Sequence, residues 1–260
     1  MKNSAEFYNR IAADYDRMTR FEDKLAVRQS VLRGILERYP AQSVLDIACG
    51  TGINAIALAR LGIAVTASDI ATEMLDQARE NARRFQAPVD WIGADMLLLA
   101  ETVAGRSFEM VLCLGNSIPH LAGPEELRRL CEHMHGLLSP GGVFIVQLLN
   151  YDRVLAEGER IVNITRHEDE TYIRFYDFLD PHLRFNLLKV AWDGDAVRWQ
   201  MESTRLYPFR AVEVEVAARK AGFSDRQLFG RLDFSVYESS TAGNIVLVAR
   251  KQSAGSGIQT

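Results

Sequence analysis

The sequence predicts an α/β protein in which a parallel sheet carries helices on both faces and is joined, after its fifth strand, to an antiparallel β block. Three observations predict it. Short apolar runs alternate with amphipathic segments from residue 44 to residue 149, the pattern of strands linked by helical crossovers. A Gly50-Thr-Gly52 turn joins the first apolar run to the next helical segment. After Asn150 the texture changes to β-branched and aromatic runs separated by short polar turns, which suits antiparallel pairing.

Residues 4–39 read as helix, with Phe7, Ile11, Tyr15 and Met18, then Leu25, Val31, Leu32, Ile35 and Leu36, at helical spacing before Pro40. Residues 44–48 read as a buried strand and 53–61 as a helix ended by Gly62. Strands at 65–68, 89–93, 110–114 and 143–149 alternate with helices at 73–85 and 125–138, and Ser139-Pro-Gly-Gly142 reads as a turn. Runs at 160–166, 171–179, 183–192 and 197–206 read as antiparallel strands, followed by a helix at 211–221 and strands near 226–234 and 244–250. Five regions result: an N-terminal helical lid (1–39), a ligand-binding core (40–150), an antiparallel insertion acting as substrate cover or dimer surface (151–207), completion of the core sheet (208–251) and a disordered tail (252–260).

Composition narrows the class. With 48% hydrophobic and 25% charged residues in 260, the chain can bury an ordinary core. A net charge of −4 argues against a nucleic-acid partner held by phosphate contacts. No apolar run approaches the roughly 18 residues of a membrane span, and the first residues lack a secretory core, so no membrane partner is expected. Cys49, Cys113 and Cys131 lack metal-ligand spacing and read as buried thiols, so a cytoplasmic protein with a metal-free site is expected.

Glycines where a buried strand becomes a helix let the backbone approach a ligand while the first helical N–H groups point at it. Gly52-Ile-Asn lacks the Lys-Ser/Thr of a phosphate-binding loop, and Gly50-x-Gly52-x-x-Ala55 is compatible with a dinucleotide without deciding for one. Asp46 is more informative, because a carboxylate so near the turn repels a pyrophosphate and suits an ammonium group. Asp69, closing the second strand, is placed for two ribose hydroxyls. Asp95, after the third, is placed for an adenine amino group, with Met74 and Met96 flanking the ring. An amine, a ribose and an adenine without phosphate describe S-adenosylmethionine, with S-adenosylhomocysteine as product. Tight packing alone would explain the glycine turn but not carboxylates at three successive strand ends.

VLDIACGTG at 44–52, SDIATEML at 68–75, GAD at 93–95 and LSPGG at 138–142 resemble the motifs of class I S-adenosylmethionine-dependent methyltransferases, with Ala48 replacing the usual first glycine. The resemblance covers residues 40–150 well and the rest loosely. It implies the Rossmann-like methyltransferase fold with an antiparallel last strand. It also implies cofactor contacts from Asp46, Ala48, Gly50, Gly52, Asp69 and Ile70, and from Met74, Asp95, Met96 and Leu114. The ACGTG turn, CLGNSIPHL at 113–121 and NYDRVLAEG at 150–158 are most similar to glycine and sarcosine N-methyltransferases, which implies a donor–acceptor boundary at Leu114, Gly115, Asn116 and His120. Residues 7–15 are similar to a lid helix whose tyrosines, here Tyr8 and Tyr15, close over the donor, and Lys24 and Arg28 are within reach of the donor carboxylate.

One departure matters. Amino-acid-binding members carry an arginine immediately before the Asn-Tyr-Asp, where this chain has Leu149. Glycine is therefore not the expected acceptor unless Arg166, Arg174 or Arg205 replaces that arginine from the insertion; Tyr151, Arg174 and Tyr207 are the acceptor-contact candidates. The expected chemistry is in-line methyl transfer to a small molecule, an amine being favoured. Asn116 and the Leu114 backbone would orient the acceptor, Tyr15 would close over donor and acceptor, and His120 would accept a proton, near its ordinary pKa, or else brace the turn. An O- or C-methyltransferase of a natural-product or quinone-like acceptor, a non-catalytic binder of the nucleoside and a dinucleotide oxidoreductase stay open. The insertion's aromatics, from Tyr172 to Trp199, read as its own core, a pocket wall or a homodimer surface, and His133, His135, His167 and His182 as solvent-exposed.

Overall fold

A computed structural model describes residues 2–194 and 196–253. The expected disordered tail lies, from residue 254 onward, outside the described residues. The single helical region expected at 4–39 is two helices, α1 (Lys2–Thr19) and α2 (Phe21–Arg38). Arg20 between them has φ 56°, a left-handed backbone that interrupts the helical ladder.

The core then alternates as expected: β1 (Ser43–Ile47), α3 (Ile53–Ala59), β2 (Ala64–Asp69), α4 (Thr72–Arg84), β3 (Asp90–Gly93), the short α5 (Leu99–Thr102) and β4 (Phe108–Cys113). A 3-10 turn (Ile118–His120), α6 (Pro124–Leu137), β5 (Leu138–Leu149) and α7 (Tyr151–Glu157) follow. Four strands form the insertion: β6 (Ile161–Arg166), β7 (Glu170–Leu179), β8 (His182–Asp193) and β9 (Ala196–Leu206). The chain ends with α8 (Ala211–Lys220), β10 (Asp225–Phe229) and β11 (Asn244–Arg250).

The core sheet has the order β10-β11-β5-β4-β1-β2-β3, with β11 antiparallel to both neighbours. Strand order therefore reverses between β1 and β4, and a crevice opens at the carboxyl ends of these strands, where ligands of open α/β sheets bind. The strands are continuous apolar runs because helices cover both faces; β1 reads buried from Val44 to Ile47, Asp46 included.

Three local expectations are corrected. The turn at 139–142 is part of β5, whose register against β4 shifts between Phe108 and Met110. Gly142 lies so close there that a Cβ would sit 2.9 Å from the Ser139 carbonyl oxygen and 3.0 Å from that of Glu109, so glycine permits a bulge instead of a turn. The strand expected to reach residue 234 stops at Phe229, and the helix α7 was hidden inside the segment preceding the antiparallel block.

The insertion is a separate sheet of order β6-β7-β8-β9, and α1 lies between its inner face and α4. Phe7, Ile11 and Met18 of α1 pack with Met74, Tyr172 and Leu187. Ionic contacts fix the same join: Lys189 Nζ bonds to Asp14 at 2.5 Å and to the buried Glu170 at 3.1 Å, and Arg17 Nε reaches Glu170 at 2.9 Å. Among the described residues, no helix is long and apolar enough to cross a membrane. Lys189→Met leaves Asp14 and Glu170 without their shared cation. It should lower stability to urea by about 1–2 kcal/mol and speed tryptic cleavage at Arg10 and Arg17, the half-exposed setting keeping the loss modest. Unchanged cleavage would show that apolar packing alone holds α1.

Candidate active site

A cavity of about 280 Å³ fills the crevice at the strand-order reversal. Its floor is the glycine turn, with Ala48, Gly50, Thr51 and Asn54, and its sides are Asp69 and Ile70 after β2, Asp95 and Met96 after β3, and Leu114, Gly115, Ser117 and His120 after β4. Tyr8 and Tyr15 of α1, Lys24 and Arg28 of α2 and Arg174 of β7 close it.

The turn is left-handed at three positions, Ala48 (φ 53°), Gly50 (φ 57°) and Gly52 (φ 87°). Ala48 carries its Cβ in that conformation at a cost of roughly 1–2 kcal/mol. The two glycines divide the work. A Cβ on Gly52 would fall 2.7 Å from the Trp91 ring, so Gly52 serves close packing and does not line the cavity. A Cβ on Gly50 would meet only Tyr15 at 4.0 Å, so this glycine faces open space.

Three carboxylates sit at successive strand ends in different states. Asp69 accepts from the Gly50 N–H at 2.8 Å and the Ala71 N–H at 2.9 Å, one bond per oxygen; burial still holds its pKa above the ordinary range. Asp95, half-buried, accepts from the Leu97 N–H at 2.9 Å. Asp46 is fully buried, and neither oxygen accepts a hydrogen bond of good geometry. Burial pushes Asp46 up to about 7, against partial relief from Arg28 and the Ala55 N–H. Asp46 does not itself line the cavity but lies two residues before Ala48, which does, and a buried carboxylate left without a hydrogen bond suits a cationic group above that turn. Asp69 keeps a free lone pair on each oxygen for hydroxyls, and Lys24 and Arg28 fit a carboxylate, so the residues present fit S-adenosylmethionine.

On the other side, Tyr8 Oη and His120 Nε2 are 3.0 Å apart with the rings edge to face. Burial pushes His120 down to about 4 and Tyr8 well up, so both are neutral at physiological pH. His120 therefore meets a ligand as a neutral imidazole, a weaker base than the near-neutral one the sequence suggests, hydrogen-bonded to Tyr8. Arg174 is half-buried, its Nε is buried without a partner, and no carboxylate pairs with it among the described residues. Burial lowers its pKa, and the Tyr15, Tyr176 and Tyr8 hydroxyls are its surroundings.

Several expected site residues are elsewhere. The Asn116 side chain donates to the Tyr151 hydroxyl at 2.9 Å and accepts from the Leu149 N–H at 2.9 Å, so Asn116 and the fully buried Tyr151 brace the exit of β4 instead of facing the cavity. Met74 is buried in the α1 cluster and not beside Met96. The Tyr207 hydroxyl donates to Glu213 at 3.1 Å, and its ring lines a separate groove with Leu155 and Leu183. Arg166 is exposed, as is Arg205, which bonds His182, so of the three arginines only Arg174 reaches the cavity. The four other histidines are half-buried; His135 packs edge-on against Phe223. Asn54 was missed. It lines the cavity with its Oδ1 buried and unpartnered, and its signal was a lone amide in the apolar run Ile53–Ala59. Cys49, Cys113 and Cys131 are free and buried.

Residues 44–142 match the family described as "Methyltransferase domain". Glycine N-methyltransferase of Rattus norvegicus is 37% identical over 137 residues, covering 49% of this chain and 47% of that protein. Glycine/sarcosine N-methyltransferase of Halorhodospira halochloris is 30% identical over 184 residues, 66% of this chain and 66% of that protein. The chain thus spans about half to two-thirds of the length of the curated relatives it matches. A solved S-adenosylmethionine-dependent methyltransferase from Clostridium acetobutylicum superposes with a TM-score of 0.76 at 18% identity, over 94% of this chain and 99% of that one, which shows the fold.

The Asp46 carboxyl makes a prediction of definite sign. Its folded value of about 7 lies above the ordinary 3.8, so its contribution is intact below pH 4 and is lost as pH rises towards 7. In ligand-free protein, Asp46→Asn should gain on the wild type by about 1.4 kcal/mol per pH unit between pH 5 and 7, read from urea unfolding. A difference that does not change with pH would mean the fold already compensates the carboxylate.

Proposed function

We propose, from the methyltransferase domain that residues 44–142 form, that the protein transfers a methyl group from S-adenosylmethionine to the amine nitrogen of a small molecule that also carries an anionic group. The observation that carries this reading is Arg174 in the cavity wall, without a carboxylate partner among the described residues, beside a glycine turn beneath which the Asp46 carboxyl accepts no hydrogen bond of good geometry. Asp46 suits the cofactor ammonium, Asp69 its ribose, Asp95 and Met96 its adenine, and Lys24 and Arg28 its carboxylate. When bound, the cofactor supplies an electrophilic methyl on a sulfonium. Arg174 is left for the acceptor, which supports an acidic group such as a carboxylate on that molecule and makes good the arginine missing at Leu149.

The residues then contribute position and field. Tyr8, Tyr15 and His120 close the site, exclude water and limit the poses of the acceptor, an alignment effect that can reach several kcal/mol. The acceptor nitrogen must present a lone pair. Lys24 is held below its ordinary pKa, first by burial and then by Arg174 and Arg28, and the same positive surroundings favour a neutral amine over an ammonium. His120, neutral, is a hydrogen-bond partner for that nitrogen or for Tyr8, and Asn116 and Tyr151 keep the β4 exit rigid behind it.

The test uses labelled S-adenosylmethionine and matched pairs of small amines with and without a carboxylate. Label should enter the carboxylated member preferentially. Arg174→Gln should raise its KM about 10–100-fold, the worth of a charge-assisted bond, with binding of S-adenosylhomocysteine unchanged. Equal loss of S-adenosylhomocysteine binding would instead put Arg174 on the cofactor carboxylate. Label entering hydroxyls or carbon acids but no amine would sink the amine reading.

A further inference from the structure

The antiparallel sheet has two unlike faces. Lys189 of β8, Tyr172 of β7 and Glu202 of β9 all bond to α1, marking the inner face, so strand alternation puts their immediate neighbours on the outer one. On that outer face Ile164, Ile173, Leu188 and Met201 are in register across all four strands, an unbroken apolar row. Val190 pairs with Trp199 two residues further along, and Trp192 with Val197 beyond them. The outer strands leave this face open to solvent, Trp199 being 71% exposed, Ile164 57% and Met201 50%, while Ile173, Leu188 and Val190 between them are half-buried. The remaining exposed aliphatic residues outside the sheet, such as Val27, Val212 and Val236, are scattered over other elements.

We propose that this outer face is the interface with a second copy of the same chain, stacked sheet on sheet about a two-fold axis. Size argues for it. Four strands about 4.8 Å apart and roughly eight residues long give a footprint of about 500 Å² per copy, so a pair buries about 1,000 Å² before side-chain relief is added. That meets the lower bound of specific protein–protein interfaces, and one copy's share matches the largest apolar patches of monomers, which are often functional. Shape and chemistry agree. A regular sheet face complements its own copy at about 10 Å separation, and tryptophan and methionine are enriched at interface centres while charges are depleted there. Charged side chains on this face lie towards one end, where Asp177 pairs with Arg160 and stands in register with Arg184 and Arg205.

The consequence reaches the cavity. Ile173 and Phe175 flank Arg174 in β7, so the strand that carries the cavity's unpaired guanidinium on one face forms the interface with the other.

Sedimentation or light scattering of the full chain should give twice the 29.2 kDa of one copy. On dilution the emission of Trp192 and Trp199 should shift to the red at the concentration where the mass halves, a readout that needs no variant. Trp199→Glu should weaken the dimer roughly thirty-fold or more, as expected for a central hot-spot residue, and Ile164→Lys should weaken it from a different strand. Val236→Glu, at a residue 80% exposed on another surface, should leave it intact. Retained circular dichroism and S-adenosylhomocysteine binding would show that the variants fold. The proposal is overturned by a monomeric wild type, by a dimer that survives both face substitutions, or by one that Val236→Glu disrupts equally. A monomer that pellets with phosphatidylcholine vesicles would likewise overturn it, giving the face to a lipid surface.

Discussion

The site is organised by a carboxylate that its own protein leaves unsatisfied. Asp46 lies on β1 between β2 and β4, with α3 over the strand end, so water is shut out and no donor of good geometry replaces it. A neutral residue there would make a more stable sheet, since burying an unpaired charge is among the costlier things a core can do. What makes the arrangement consistent is the reversal of strand order at the same place. The crevice it opens is lined by Ala48 and Gly50 just after Asp46 and by Arg28, the internal cation that partly relieves it, and Asp69 and Asp95 occupy the neighbouring strand ends by the same topology. Ligand binding and the stability of β1 are therefore linked through one ionisable group.

The walls come from parts of the chain that the sheet does not fix. α1 is held by apolar packing to α4 and by the Lys189–Asp14–Glu170 contacts to the insertion, and this double attachment is what brings Tyr8 to His120 and Arg174 to the cavity. Its energetics differ from those of the floor. The floor is a half-buried turn strained at Ala48, whereas the roof is joined by half-exposed ion pairs of modest individual worth. Opening of the site is thus expected at the roof, along the seam between α1 and β7–β9, while the glycine turn stays in place.

How legible all this was in the sequence depended on range. The floor was readable because Asp46, Gly50, Asp69 and Asp95 are tied to strand ends, and an apolar run followed by a glycine or an acidic residue is a local signal. Gly52 was read as a ligand contact because spacing cannot say that Trp91, from β3, presses on it. The turn expected at Ser139-Pro-Gly-Gly142 failed because the same residues serve a bulge, and the β4 register that decides between them is a long-range fact. Asn116 and Tyr151 were plausible acceptor contacts until their mutual hydrogen bond was seen, 35 residues apart in sequence. Arg174 was a candidate because it alternates in step with Tyr172 and Tyr176, but that this set and not Arg166 or Arg205 turns to the cavity is decided by the pairing of the insertion strands and the docking of α1. His120 looked titratable near neutrality because burial, which lowers it, is a tertiary property.

Strand alternation ties these observations together. In a two-layer protein, an insertion whose one face carries Tyr172, Arg174 and Tyr176 must put the intervening residues somewhere, and here they are Ile173 and Phe175. A sheet covered on one side only ordinarily alternates apolar and polar residues, with the polar set in water. This one is mixed and charged on the face that meets α1 and the cavity, and on the face that meets solvent it carries an apolar row with its charges gathered at one end, which is not what an isolated monomer requires. The inversion follows if the inner face is reserved for a charged acceptor and the ionic contacts that hold α1, because an Arg174 side chain needs neighbours that tolerate it. The apolar surface needed to stabilise a four-stranded sheet then has to be buried on the other side, against something that the single chain does not supply.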